Sequence, residues 1–300
     1  MQPIPVPFFF VVDDAGFSTV LPDGRGETIE FGAYENLRIL AEQFGLRIPL
    51  CFTMKFLDLD NRSGVATPLP YAEKLLAYLE SHSPLFEFGD HGLTHQFEQS
   101  FYEFFNPFTG EAPPREVQEQ HVACCEEIWT EGLGLPMPRI FVPPSHGWQQ
   151  DVTDQAYAAV GIQHLISLPQ QKASPWGSGG FPGGKSFQFF QPVHAWQPSS
   201  FMNFFPRSSM GLPLAGPAPG RMQTKFIKNI VASRSSLGRC FLCRKWLPWR
   251  AHSFMTHIGN FMGQKNLQFW QEFLTWVSNN PRLKLITSHD EAIREFQATA

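Results

Sequence analysis

The run Val6 to Val12 is apolar throughout, the pattern of a strand buried on both faces, and it ends abruptly at Asp13-Asp14-Ala15-Gly16. After a polar stretch, Tyr34 to Phe44 carries apolar residues at helical spacing and stops at Gly45, a residue suited to a helix C-terminus. Arg47 to Met54 reads as a second strand. The alternation then repeats: Tyr71 to Leu79 as helix, Leu85 to Phe88 as strand, Pro114 to Thr130 as a long helix, and Arg139 to Val142 as strand. A short helix from Gln155 to Val160 and a strand from His164 to Ser167 follow. Strands separated by helices in this way predict a parallel sheet or an α/β barrel. Functional residues in such folds gather at the carboxyl ends of strands, where Asp13, Asp14, His91 and Pro143 fall.

The pattern breaks at about 170–222, a Gly-, Pro-, Ser- and Phe-rich stretch with no clean period. Its aromatic content predicts an ordered insertion over the barrel mouth rather than a linker. Regular structure resumes with Lys225 to Ala232, a strand at His252 to Thr256, a helix at Leu267 to Val277 and a last strand at Leu283 to Thr287. Ser288-His289-Asp290-Glu291 has the form of a capping box opening a final helix. No internal repeat is visible, and the 300 residues read as one domain.

Composition narrows the class. With 43% hydrophobic and 17% charged residues the chain has ample core and no sign of global disorder. The 30 phenylalanines read first as packing and second as a sugar- or lipid-facing surface. The net charge of −4 hides an asymmetry, because no Asp or Glu occurs between Gln155 and Gln271 while 12 Lys or Arg do. Such a split suits either a solvated basic face or an anionic partner. Overall acidity and the lack of any recognised motif set nucleic acid aside.

The N-terminus lacks the basic, apolar and small-residue sequence of a leader, and no apolar stretch approaches the roughly 20 residues of a membrane span. A cytoplasmic location is expected. The five cysteines suggest no disulfide framework. Cys240 and Cys243 have the spacing of half a zinc site without a second pair, and Cys124 and Cys125 read as packing residues.

The chemistry centres on His91-Gly92-Leu93-Thr94-His95, whose two imidazoles, four residues apart, can converge on one ion. An acidic pair ends the first strand, and His257 follows a late strand in Phe254-Met255-Thr256-His257. Two histidines and one aspartate leave open positions on a metal for water and substrate. A bound ion acidifies water to a pKa of about 7 and polarises a carbonyl. The adjacent Asp can take the proton.

These residues resemble the motifs of the polysaccharide deacetylase family, the chitooligosaccharide and peptidoglycan deacetylases with a NodB-homology domain. In order along nearly the whole chain, Phe10 to Asp14 looks like the first motif, His91 to His95 the second, Phe141-Val142-Pro143-Pro144 the third and Thr256-His257 the last. The resemblance implies a distorted (β/α) barrel of about seven parallel strands, into which the insertion at about 170–222 would be set. It implies a divalent metal, zinc foremost, with cobalt, iron, nickel or manganese as alternatives. It implies removal of acetyl groups from N-acetylated sugars. By resemblance Asp14, His91 and His95 are the metal ligands, Asp13 the general base and His257 the acid that protonates the leaving amine. Pro143, Pro144, His146 and Trp148 lie where substrate would be bound.

The chain departs from the pattern in four places. Asp-Asp-Gly is lengthened to Asp13-Asp14-Ala15-Gly16, and Gly92 replaces the usual Ser or Thr after the first ligand. Val142 replaces the Arg that holds the base, and the fourth-motif Asp has no counterpart in the acid-free stretch. A non-sugar amide, or binding of a glycan without turnover, are the competing readings. For the leading one, the basic and aromatic middle would hold an anionic or lipid-linked saccharide, with contact to a membrane surface.

Overall fold

The uninterrupted apolar character of the first strand follows from its place in the sheet. In the computed structural model, β1 (Val6–Asp13) pairs in parallel with β4 (Ile48–Phe52), β9 (His252–His257) and β10 (Leu283–Ile286). The structure describes residues 5–16, 19–20, 26–27, 29–98, 102–106, 109–167, 203–209, 252–281 and 283–299. From β4 the sheet runs through β5 (Phe86–Asp90), β6 (Ile140–Phe141), β7 (His164–Ser167) and β8 (Asn203–Ser209) to β9. Since β9 returns to β1, seven parallel strands close into a distorted barrel. β10 pairs with the first half of β1, and just beyond it the Thr287 carbonyl accepts the Arg47 N–H at 2.6 Å, joining it to the start of β4. A two-stranded ribbon of β2 (Thr19–Val20) and β3 (Gly26–Glu27) lies outside this sheet.

Among the described residues the α-helices are α1 (Gly32–Phe44), α2 (Ala72–Ser81), α3 (Arg115–Glu127), α4 (Thr153–Ala159), α5 (Gly263–Asn279) and, after the last strand, α6 (His289–Thr299). Gly45 ends α1 in the left-handed conformation, φ 63°, its N–H bonded to the Ala41 carbonyl. At α6, Ser288 Oγ accepts the Glu291 N–H at 3.2 Å, while the Glu291 carboxylate reaches back to Thr287 N at 2.8 Å, one residue earlier than in a standard capping box.

Side chains alternate across the strands, and the alternation sorts them into distinct cores. Phe8 and Val12 of β1, with Ile48, Leu50 and Phe52 of β4, face outward into a cluster with α1, α2 and α5. Phe141 and Leu165 pack against Phe104, Tyr157 and Trp148 beneath α3 and α4. Inside the barrel Phe9, Val11, Cys51, Ile140, Val142, Ile166 and Ile286 form a third cluster, with Ala292 of α6 packed against it. The interior is narrow at Gly89, where a Cβ would lie 2.5 Å from Cys51 Sγ. Gly89→Ala is therefore expected to lower stability by about 1–3 kcal/mol through overpacking, read as a shifted urea midpoint. An unchanged midpoint would show that the interior can give way there.

A polar cluster lies at the start of β5, where Glu87 accepts Arg139 Nη2 at 2.8 Å and lies 3.4 Å from His289 Nδ1. Burial raises the Glu87 carboxyl pKa, but the hydrogen bonds and charges of His289 and Arg139 outweigh it and bring it to about 2. A carboxyl depressed on folding contributes stability above its unfolded pKa of about 4.5, and that contribution is lost as pH falls toward about 2. Unfolding free energy is expected to drop across this window and to drop less steeply in Glu87→Gln. Urea titrations at stepped pH check this, and equal slopes would contradict it.

Three elements differ from the sequence expectation. β8 is a strand of the barrel itself within the stretch expected to be an insertion over its mouth; Pro206, unusual inside a strand, hides its pattern. The α-helix expected to reach Thr130 ends at Glu127 and continues as a π-helical turn, Ile128–Gly132. The strand expected over Arg139 to Val142 is paired only at Ile140–Phe141. Lys225 to Ala232, most of the segment at about 170–222, Cys240 and Cys243 lie outside the described residues. Among the described residues no helix is long and apolar enough to cross a membrane.

Candidate active site

The alternation that fills the barrel also delivers the site. On β1, Phe9 and Val11 point inward, so Asp13, two residues on, sits over them at the carboxyl end of the barrel. Its neighbour in the β9 register is His257, whose Nε2 lies 3.5 Å from Asp13 Oδ1 and 3.4 Å from Asp14 Oδ2. Asp14 takes a left-handed backbone conformation, φ 53°, uncommon for a side-chain-bearing residue. The turn is pinned by the Ala15 N–H on the Cys51 carbonyl at 2.9 Å and by Tyr34 Oη on the Ala15 carbonyl at 3.2 Å. That bend brings the Asp14 carboxylate to the histidines: Oδ1 lies 3.0 Å from His91 Nε2 and 3.5 Å from His95 Nε2.

Asp13, Asp14, His91 and His95 are all buried, and the His257 side chain, 20% exposed, is the one most open to solvent. His91 is fixed from behind, with Nδ1 2.6 Å from the Val142 carbonyl. A carbonyl only accepts, so Nδ1 carries a proton and Nε2 of the neutral ring presents a lone pair to Asp14. With His91 neutral, Asp14 Oδ1 has no hydrogen-bond partner among the described residues. An anionic oxygen facing two imidazole nitrogens needs a cation, either a proton on His91 or a metal ion.

The electrostatics express the same need. Burial raises the Asp14 carboxyl pKa, but His91, first by its hydrogen bond and then by its charge, with His95 and His257 adding theirs, holds it well below the usual carboxylate range. Burial lowers the His91 pKa and Asp14 more than restores it, so the ring titrates above its ordinary value. For His95 burial wins despite Asp14, and its pKa falls to about 4, leaving it a neutral donor at pH 7. The set of one carboxylate oxygen and two imidazole nitrogens, mutually within 4.8 Å, fits a divalent ion of zinc type. Asp13, Asp14 and His257 form a second overlapping group with the same reach.

Several supporting residues were not singled out in the sequence. Asp90 faces away from the barrel interior, accepting the Gly92 N–H at 2.8 Å, Tyr157 Oη at 2.9 Å and Trp129 Nε1 at 2.9 Å. Burial raises its pKa to about 6 against those three bonds. Glu103, fully buried, binds the backbone of the His91 to His95 turn and pairs with His121. The position of Asp90, directly before His91 at a strand end, was a usable signal. Glu103 carried none.

The expected substrate residues divide. Pro143 and Pro144 are buried beside the site, with Pro144 packed against Gly92. Trp148 is 4% exposed and packs in the cluster beneath α3 and α4. The His146 side chain lies outside those described. Val142, standing where the family has Arg, is fully buried in the apolar interior cluster, and its carbonyl rather than its side chain serves the site.

No family model matches the sequence, and no curated protein is significantly similar to it. Solved structures do match. A Mycobacterium smegmatis protein assigned as a polysaccharide deacetylase aligns over 99% of this chain and 94% of its own, with 11% identity and a TM-score of 0.57. The chain has the polysaccharide deacetylase fold. The 4-alpha-glucanotransferase from Thermococcus litoralis aligns over 97% of this chain but 40% of its own, with 14% identity and a TM-score of 0.50. One barrel thus carries different chemistries, and the deacetylase fold alone does not choose among them. The choice rests on the residues at its mouth.

Proposed function

We propose that the chain is a metal-dependent hydrolase that removes acetyl groups from N-acetylated sugars of a glycan. The observation that carries this reading is the convergence of Asp14, His91 and His95 on one point, with Asp13 and His257 beside it. Asp14, His91 and His95 would hold the ion, zinc foremost. When bound, it would supply Lewis acidity, polarising the acetyl carbonyl and acidifying water.

The chain's own groups supply the proton transfers. Asp13, buried and with no hydrogen bond to its Oδ1 among the described residues, is free to accept the proton of the attacking water. His257, on the solvent side, delivers a proton to the departing amine nitrogen. Its position 3.5 Å from Asp13 lets the proton taken by one be returned through the other. Val142 contributes no charge beside the base, and His257 is the basic residue at ion-pair distance from Asp13 among the described residues.

A second reading, hydrolysis of a non-sugar amide, is favoured by that same substitution, which alters the site next to the base without touching the ligands. Acetate release by protein reconstituted with zinc or cobalt, from N-acetylated oligosaccharides and from a panel of small N-acetyl amides, separates the two. Release from the oligosaccharides alone is expected. Release only from the small amides would shift the reading to the second, and release from neither, with the ion bound, would leave a glycan-binding protein without turnover.

A further inference from the structure

Resting on the metal-site reading, we infer that Glu103 is a positioning residue for the ligand turn, and that Gly92 exists to make room for it. Gly92 (φ 80°) and His95 (φ 65°) are both left-handed, and the N–H groups of the turn between them do not close on the turn itself. Every N–H from Gly92 to His95 is instead taken by a buried carboxylate. Gly92 donates to Asp90 at 2.8 Å, and the next three go to Glu103: Leu93 to Oε1 at 2.9 Å, Thr94 to Oε2 at 3.1 Å and His95 to Oε2 at 2.8 Å. Successive N–H groups converging on one anion form a nest, and its occupant is a side chain brought from eight to ten residues downstream.

The carbonyl side of the turn is equally held, by Met54 N–H on Gly92 at 2.8 Å and Lys55 N–H on Leu93 at 2.9 Å. His121 of α3, Nδ1 at 2.9 Å from Oε1, holds the carboxylate from the outer side. A Cβ at residue 92 would collide with Glu103 Oε2 and lie 2.7 Å from Pro144 Cγ. The glycine after the first ligand histidine and the distant glutamate are therefore a matched pair. The direction in which His95 Nε2 points is thus tied to a carboxylate outside the candidate ligand set.

Glu103→Gln preserves volume, but both carboxylate oxygens accept peptide N–H groups, so an amide NH2 must face at least one of them in either orientation. Apo protein is titrated with cobalt by calorimetry, and the visible cobalt spectrum is recorded alongside thermal melts. Affinity is expected to fall about 10–100-fold, the usual cost of losing a supporting contact to a metal ligand, with an altered cobalt spectrum. His121→Ala, at a partly exposed position, tests the same anchor with less risk to folding and is expected to show a smaller loss in the same direction. Should Glu103→Gln not fold, His121→Ala decides. Parent-like affinity and spectrum in folded variants, with binding abolished in Asp14→Ala, would overturn the role of Glu103 while leaving the metal site intact. Absence of cobalt binding by the parent protein would overturn both.

Discussion

Asp14→Ala is expected to lose divalent-ion binding, with affinity reduced well beyond the roughly 100-fold that follows loss of a supporting contact. Asp14 is the one anionic member of the triad, and both imidazoles approach the same oxygen, Oδ1. Without it, two neutral nitrogens remain in a buried pocket, and His95, with its pKa near 4, adds no charge. The fold should survive, because the pKa of His91 is raised chiefly by Asp14, and without that carboxylate the ring loses the main group that favours a second proton while Nδ1 keeps its bond to the Val142 carbonyl. The turn itself is kept by contacts that do not involve the Asp14 side chain. Calorimetric titration with zinc or cobalt, paired with a thermal melt, reads both parts. Retained binding would place the ion elsewhere.

Asp13→Ala is expected to do the reverse: to keep the ion and lose turnover. Asp13 contacts His257 and none of the two ligand histidines at ion-pair distance, so its removal leaves the triad in place. General-base contributions are typically about 100- to 10,000-fold, and acetate release should fall within that range at unchanged metal content. The pair of variants thus divides the two adjacent aspartates by role. Turnover undiminished in Asp13→Ala would mean that another group takes the proton.

Much of this arrangement could be read from the chain, and the reasons are local. Asp13 and Asp14 end a run apolar enough to be a buried strand, and side-chain alternation then sets Asp13 above Phe9 and Val11. His91 and His95 stand four apart at the end of another strand. The spacing suits a turn or a helix, and the residues form a turn with His95 left-handed, from which the convergence arises. What was illegible depends on long-range contact. Glu103 reaches the turn from a loop with no regular pattern, and Trp129 and Tyr157 meet Asp90 only after α3 and α4 pack on the sheet. Trp148, which as an aromatic beside a motif suggested a sugar face, is consumed by packing against Phe141 and Tyr157. β8 was hidden by Pro206 and by a flanking composition that masks strand alternation.

The most direct test of the metal-site claim is anomalous diffraction from crystals of the protein grown with cobalt or zinc. One strong peak is expected, bounded by Asp14 Oδ1, His91 Nε2 and His95 Nε2, with the Asp13 carboxylate alongside. A structure at full metal occupancy elsewhere, or one in which His91 and Asp14 share a proton and no ion enters at saturating metal, would contradict it.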